Sequence, residues 1–291
     1  MSDNTYIFEL SEEAKRLGKQ AQFLAPLTQR MCEDAGIKAG MKVLDVGCGA
    51  GDVTLLLAEM VGPHGIIVGV DRNPTLLEIA SARVRAAGLT NVSFVNGDLF
   101  TVPLDDDFDA VVGRLVLVHV QDKVALLRRL SAHVRPGGIV AFQEPDHTLQ
   151  VATLPKVGLF EQAWNWRLEA TRRAGIERQM GLKMYGMFLD AGLSTPEVRL
   201  EQMVGGGPNW GGYEHLSGLV RGLLPLIVQF EIATAEEVAI NTLTQRIRDE
   251  VVSQGGVVKG VSFVSAWART TSGCVAKMNN TRSKERRGTA T

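Results

Sequence analysis

The first half of the chain alternates between short apolar runs and amphipathic stretches of helical period. Five apolar runs predict strands, at 41–46, 66–70, 92–96, 108–113 and 138–143. Three amphipathic stretches predict helices, at 52–61, 74–87 and 122–133. Strands that alternate with helices form a parallel sheet with helices on both faces. The pattern therefore predicts an α/β fold for this half.

The rest of the chain has a mostly helical pattern. Helical spacing is found at 11–35, 156–191, 213–229 and 234–253, and apolar runs that predict strands lie at 197–204 and 261–268. The glycines of 205–212 predict a flexible break. The most apolar stretch, Leu216 to Phe230, is too short to span a membrane and contains Arg221 and Pro225, so it predicts a buried helix or helix pair.

A glycine-rich turn follows the first predicted strand. Gly47, Gly49 and Gly51 precede a helix, where backbone amides reach a ligand closely because glycine has no Cβ. The dinucleotide fingerprint places its third glycine one position later, where this chain has Asp52. Asp45 and Asp52 disfavour a pyrophosphate and tolerate a ligand with a positive centre. No Gly-Lys-Ser/Thr follows the loop, which argues against a phosphate-loop NTPase.

The run Asp45-Val-Gly-Cys-Gly-Ala-Gly51 resembles the first motif of the class I S-adenosylmethionine-dependent methyltransferases. Asp71 stands where that family keeps the acid that binds the ribose hydroxyls, and Asn96-Gly-Asp98-Leu99 resembles the stretch whose acid meets the adenine amino group. Arg135-Pro-Gly-Gly138 is similar to the turn before the fifth strand. The resemblance covers residues 41 to about 146 and is nearest to UbiE-like small-molecule methyltransferases.

The resemblance implies a Rossmann-like sheet of seven strands, mostly parallel with an antiparallel last strand. It implies helices on both faces and extra helices over the ligand edge. It also implies S-adenosyl-L-methionine as the cofactor and assigns residues to it: Gly47, Cys48 and Gly49 at the methionine portion, Asp45 orienting the loop, Asp71 at the ribose, Asp98 and Leu99 at the adenine. No metal is expected.

Three of the polar candidates have two interpretations each. Asp45 could brace the loop without touching ligand, since short polar side chains often bond turn amides. Arg72 could stack on the adenine or lie in solvent. Arg114 follows the fourth predicted strand and could pair with the cofactor carboxylate or brace Glu144.

Two histidines follow predicted strands at the ligand edge and are the candidate bases. A base is needed only if the acceptor is a hydroxyl or another group that stays protonated at neutral pH. His119 or His147 could deprotonate a phenol or enol. Each could instead be a hydrogen-bonded structural residue.

Composition sets limits on the function. The 291 residues are 45% hydrophobic and 22% charged, which is typical of a globular protein with one elaborated domain. A net charge of −1 gives no electrostatic case for nucleic acid. Three widely spaced cysteines form no CxxC pair, and the acidic N-terminus is unlike a secretory signal, so a cytoplasmic location is predicted.

We predict an N-terminal helical cap, a methyltransferase domain and a disordered basic tail, at 1–40, 41–270 and 273–291. The domain consists of a cofactor-binding core and two helical insertions, at 41–146, about 150–192 and 213–253.

The predicted function is methyl transfer from S-adenosylmethionine to a small organic acceptor by in-line displacement. O- or C-methylation in secondary metabolism or quinone-like biosynthesis is the expected chemistry. The alternatives are a cofactor-binding regulator or non-methylating pocket, and a methyltransferase that acts on protein or RNA. The sequence indicates no nucleic-acid partner and no oligomeric state.

Overall fold

The computed structural model describes residues 23–148 and 152–271, which divide into two compact units. The sheet unit comprises Ala25–Glu144, Gly181–Arg199 and the described residues from Val264 onward. The helical unit comprises residues 23–24, Pro145–Met180 and Leu200–Phe263, apart from 149–151. Most of the predicted N-terminal cap and all of the predicted tail, 273–291, lie outside the described residues.

Parallel strands form the centre of the sheet unit. They are β1 (Lys42–Val46), β2 (Ile66–Asp71), β3 (Val92–Asn96), β4 (Phe108–Arg114) and β5 (Val134–Asp146). β1 pairs with β2 and β4, β2 pairs with β3, and β4 pairs with β5. Val46 lies beside both Val70 and Gly113. The residues that follow these strands therefore meet at one carboxyl edge, where open α/β sheets bind ligands.

Helices cover this part of the sheet. They are α1 (described over 23–35), α2 (Asp52–Val61), α3 (Pro74–Ala86), α4 (Lys123–Ser131), and a 3₁₀ turn at Leu117–His119. The core between α1, α2 and the strands contains Met31, Leu57 and Ile67, all of which are fully buried. α6 (Met180–Asp190) packs Phe188 edge-on against Phe142 of β5. Apolar burial thus fixes the strands that lead to the ligand edge.

The helical unit is built from α5 (Gly158–Arg173), α7 (Gly212–Gln229), α8 (Ala235–Val238) and α9 (Ile240–Ser253). Each long helix buries one apolar face, including Phe160, Leu216 and Ile247. Glu250 of α9 accepts the first two amides of α5, from Gly158 and Leu159, at 2.9 and 3.0 Å. A distant carboxylate therefore caps a helix that lacks its own N-cap side chain.

The predicted α/β class is confirmed, with one more strand than expected. Over the described residues the strands pair in the order β3-β2-β1-β4-β5-β8-β6, and β7 (Glu197–Gly206) also pairs with β8 (Val257–Arg269). β6 (Thr153–Leu154) runs antiparallel to β8. β6 has only two residues, which is too short for a hydrophobic period to reveal.

Several element boundaries differ from the prediction. β5 begins at Val134, so Arg135-Pro-Gly-Gly138 lies inside the strand, where the register against β4 shifts. The predicted helix over 156–191 is two helices, because Gly175 adopts a positive φ of 66° after α5. The predicted helix over 234–253 is interrupted at Ala239, which is left-handed with φ 42°. Pro225 lies within a single helix, α7.

The glycine-rich stretch 205–212 contains the predicted break, which is a short turn at 207–211 between β7 and α7. A Cβ at Gly205 or Gly212 would lie 2.1 Å from the Trp210 ring. That indole makes edge contacts with Phe23 and Tyr213. These two glycines make room for an aromatic side chain between β7 and α7.

Candidate cofactor site

The loop after β1 is held in left-handed conformations that favour glycine. Gly47, Gly49 and Gly51 have φ values of 64°, 52° and 83°. A Cβ at Gly47 would lie 2.8 Å from a Val116 methyl group, and one at Gly51 would lie 3.0 Å from the Ala80 Cβ. At Gly49, the nearest side-chain atom to such a Cβ is 4.0 Å away. Gly49 therefore keeps one side of the loop open for a ligand.

Asp71 ties that loop to the end of β2. Its Oδ2 accepts the Gly49 N–H at 2.9 Å, and its Oδ1 accepts the Asn73 N–H at 2.8 Å. The Asn73 side chain in turn accepts the Thr75 and Leu76 amides that begin α3. Each carboxylate oxygen has a second acceptor position, so Asp71 can still receive hydroxyl donors.

Asp45 is buried beneath the loop. Its Oδ2 accepts the Thr54 hydroxyl of α2 at 2.5 Å. Burial raises the pKa of its carboxyl to about 7, against the lowering effects of Thr54 and Arg114. Cys48 is also buried, and burial raises its pKa. This bond joins Asp45 to α2, and both interpretations of Asp45, bracing the loop and binding the cofactor, stay predictions.

The predicted adenine residues follow β3. The Asp98 side chain is exposed, and its Oδ1 accepts the Phe100 amide at 2.8 Å. The carbonyl of half-buried Leu99 accepts Arg129 Nε at 2.8 Å, and Arg129 also donates to the Val102 carbonyl at 2.5 Å. Arg129 of α4 thus braces this loop, a role that the sequence analysis missed.

Arg114 reaches a buried polar chain instead of Glu144. Its Nη1 donates to the Thr28 hydroxyl of α1 at 3.2 Å, and that hydroxyl donates to Gln143 Oε1 at 2.8 Å. Gln143 Nε2 then donates to Ser265 of β8 at 3.0 Å. Burial lowers the pKa of Arg114, while the charges of Asp52 and Asp45 raise it. The proposed bracing of Glu144 is not among its contacts.

Glu144 instead organises the turn that carries His119. Its carboxylate, which is fully buried, accepts the amides of Val116 and Leu117 at 2.8 and 2.7 Å. His119 ends that 3₁₀ turn, and partial burial together with the charge of Arg72 lowers its pKa. The Arg72 side chain is exposed.

His147, the second candidate base, lies in the helical unit. Its Nε2 is 2.7 Å from Nη2 of Arg167, which acts as the donor. Burial, followed by the charges of Arg167 and Arg178, lowers the pKa of His147 to about 3. The imidazole is therefore neutral with one lone pair already engaged. All the other predicted site residues belong to the sheet unit.

Arg83 is the clearest functional residue that sequence reasoning missed. From α3 its Nη2 pairs with Asp52 at 2.8 Å, and its Nη1 donates to the Ala50 carbonyl at 2.6 Å. One guanidinium thus holds both ends of the Ala50–Asp52 segment. An arginine on a polar helix face carries no sequence signal for this role.

The site contains an open glycine loop, carboxylates at the ends of β2 and β3, and a cation at the end of β4. These donors and acceptors suit a nucleoside with hydroxyls and an amino-acid end. Residues 37–178 match the family model of the methyltransferase domain. This region is a class I S-adenosylmethionine-dependent methyltransferase domain.

Other comparisons agree with this family. A demethylmenaquinone methyltransferase of Staphylococcus aureus is 36% identical over 137 residues, which cover 47% of this chain and 53% of that protein. The chain therefore spans about half the length of the curated relatives it matches.

Two solved structures share the fold at low sequence identity. A putative methyltransferase of Bacillus halodurans has a TM-score of 0.55 at 18% identity, covering 84% of this chain and 98% of its own. Phosphoethanolamine N-methyltransferase 2 of Haemonchus contortus, in complex with S-adenosylhomocysteine, has a TM-score of 0.53 at 17% identity. The match covers 84% of this chain and 52% of that chain.

Two further observations concern the described residues of the methyltransferase fold. They contain no helix long and apolar enough to cross a membrane. Among these same residues, no three His, Cys, Asp or Glu side chains are grouped to hold a metal ion.

Replacing Arg83 should loosen the glycine loop. In Arg83→Met the Asp52 pair and the Ala50 bond are lost, and we expect about tenfold weaker binding of S-adenosylhomocysteine by calorimetry. Arg85→Met, an exposed position on the same helix, is the matched control. Equal affinities for the two variants would contradict the role of Arg83.

Asp45 should make stability depend on pH. Its folded pKa lies above that of the unfolded chain, so stability is highest below the unfolded value and falls as pH rises through about 7. Relative to Asp45→Asn, the wild type should lose on the order of a few kcal/mol between about pH 4 and pH 7. Denaturant titrations of both proteins measure this difference. The other carboxyl groups titrate equally in the wild type and in Asp45→Asn. If the difference in unfolding free energy between the two proteins does not change with pH, the raised pKa of Asp45 is refuted.

Proposed function

We propose that this chain transfers a methyl group from S-adenosylmethionine to a small organic acceptor. The observation that carries the proposal is the bond from the Gly49 N–H to Asp71, which holds an open glycine loop beside a carboxylate at the end of β2. When bound, S-adenosylmethionine supplies a methyl group on a positively charged sulfur. The task that remains for the protein is to align donor and acceptor.

The residues around the loop divide the binding between them. Gly47 and Gly49 would present backbone to the methionine portion, with Cys48 packed beneath. The second acceptor positions of Asp71 would receive the ribose hydroxyls. Arg114, held by Thr28, would pair with the carboxylate of the ligand.

Two more contacts complete the proposed cofactor site. Asp98 would accept the adenine amino group and Leu99 would pack on the ring. Arg72 is exposed near this edge and has no further assigned role beyond a contact with the base. Arg129 acts on this part only by holding the Leu99 carbonyl.

A base is required only for an acceptor that must lose a proton. The lowered pKa of His119 keeps its imidazole neutral at neutral pH, so the ring can accept a proton. His147 is neutral too, but its Nε2 lone pair faces Arg167, so that contact must break before Nε2 can act as a base. His119 is therefore the better of the two candidate bases.

The proposed acceptor class rests on the name of a relative. The name of the Staphylococcus aureus relative, demethylmenaquinone methyltransferase, favours methylation of a quinone-like compound. O- or C-methylation and a place in secondary metabolism stay predictions. The free, buried thiols of Cys32 and Cys48 favour a reducing compartment such as the cytoplasm.

Label transfer tests the function. Wild-type protein with methyl-labelled S-adenosylmethionine and a small-metabolite extract should place label in the organic fraction. Label in protein or RNA would contradict the small acceptor and favour the macromolecular alternative. Tight binding of the cofactor without transfer to any fraction would favour the non-methylating alternative.

A carboxylate variant tests the cofactor site separately. Asp71→Asn loses the charge that holds the Gly49 amide, and we expect roughly 10- to 100-fold weaker binding of S-adenosylhomocysteine. Glu78→Gln, an exposed change on α3, should bind as the wild type does. Wild-type affinity in Asp71→Asn would refute the assigned site.

A further inference from the structure

The helical unit buries an arginine whose hydrogen-bonding capacity is mostly unused. Arg167 of α5 is 5% exposed, and its guanidinium lies 4.9 Å from the centroid of the Trp164 ring. Its Nη2 contacts His147, but its Nε and Nη1 have no hydrogen-bond partner among the described residues. These two nitrogens carry three N–H donors. Buried donors are normally satisfied, and within the described part of the helical unit these donors have no acceptor.

The groups around Arg167 add donors and positive charge. Nε of Arg178 and Nε1 of Trp164 are also buried without a partner in the described part of the chain. Arg178 is close enough to act with burial in lowering the pKa of Arg167 to about 10. Among the residues that the structure describes, no acid raises that pKa, as a paired carboxylate would.

The backbone brings these side chains together. The His147 amide donates to the Arg178 carbonyl at 2.8 Å, so the end of β5 and the segment before α6 are adjacent. Both arginines and His215, from α7, lower the pKa of His147. The arrangement is a cationic cluster of Arg167, Arg178, His147 and Trp164.

We propose that this cationic cluster binds the carboxylate of a small organic acid. A carboxylate supplies the negative charge and the acceptor oxygens that the cluster lacks, and guanidinium groups match its planar shape. The face of Trp164 and the buried side chains of α5, including Phe160, provide apolar contact for the organic part.

The cost of the cluster supports a binding role. A buried charge without a counter-ion destabilises a fold, and such groups are retained where function requires them. Replacing Arg167 by an uncharged residue should therefore leave the ligand-free protein at least as stable as the wild type. If Arg167 had a structural role, the same replacement would lower the stability.

The site goes beyond the methyl donor and stands on the helical unit alone. A chain that binds the acid but not S-adenosylhomocysteine would overturn the proposed function and leave this inference intact. Binding of S-adenosylhomocysteine without binding of the acid would do the reverse.

The test uses the full chain with benzoate as the probe. Sodium benzoate should raise the Tm, while benzamide, its neutral analogue, should not. Sodium phosphate at the same ionic strength should have a smaller effect than benzoate. Absence of a benzoate effect, or an equal effect of phosphate or benzamide, would overturn the proposal.

Variants assign the effect to Arg167. Arg167→Met should keep or raise the Tm of the ligand-free protein and lose the benzoate response. Arg167→Lys keeps the charge but loses the planar fork, and should bind benzoate about tenfold more weakly. Arg172→Met, on the exposed face of the same helix where Arg172 pairs with Glu169, should respond as the wild type does. Retention of the response in Arg167→Met, or failure of both Arg167 variants to fold, would assign Arg167 a structural role and overturn the proposal.

Discussion

The hydrogen bond from the Gly49 amide to the Asp71 carboxylate connects the parts of the donor site. It joins the loop after β1 to the end of β2. Asp71 also accepts the amide of Asn73, the residue that caps α3, so the same carboxylate holds the start of that helix. Arg83 of α3 connects that helix back to the loop, because it bonds the Ala50 carbonyl and pairs with Asp52. The loop can then remain open at Gly49 without losing its shape. An open and rigid loop is what close backbone contact with a ligand requires.

Buried polar groups at the end of β5 position other candidate site residues of the sheet unit. Glu144 fixes the turn that contains His119, and Gln143 beside it holds Thr28, which receives Arg114. Buried charge is costly unless its hydrogen bonds are made. Here the bonds are made by backbone amides and by neutral side chains, so the charges serve to position loops. The end of β5 therefore positions both Arg114, at the end of β4, and the turn that carries His119.

The helical unit handles charge differently. Arg167 and Arg178 bury donors that no described residue accepts, with Trp164 beside them. In the described sheet unit the buried groups complete each other, whereas this cluster keeps donors for the proposed anionic ligand. Local rules are broken most often where a protein binds something. Buried polar groups with bonded partners therefore support a site, whereas buried donors without partners are candidates for direct contact with a ligand.

The sequence by itself determined the order of strands and helices from α1 to β5, the α/β class and the nature of the glycine loop. The period of apolar residues and the spacing of glycines are local properties of the chain, so they can be read without knowing how the elements pack. The sequence could not show that Arg83 clamps the loop or that Arg114 reaches Thr28 and not Glu144. It also could not show that Arg167 lies buried with no acid beside it among the described residues. An arginine side chain has the same local pattern in solvent, in a salt bridge or in a ligand site. Only the tertiary structure selects its partner, because contacts between residues far apart in the chain depend on how the elements pack.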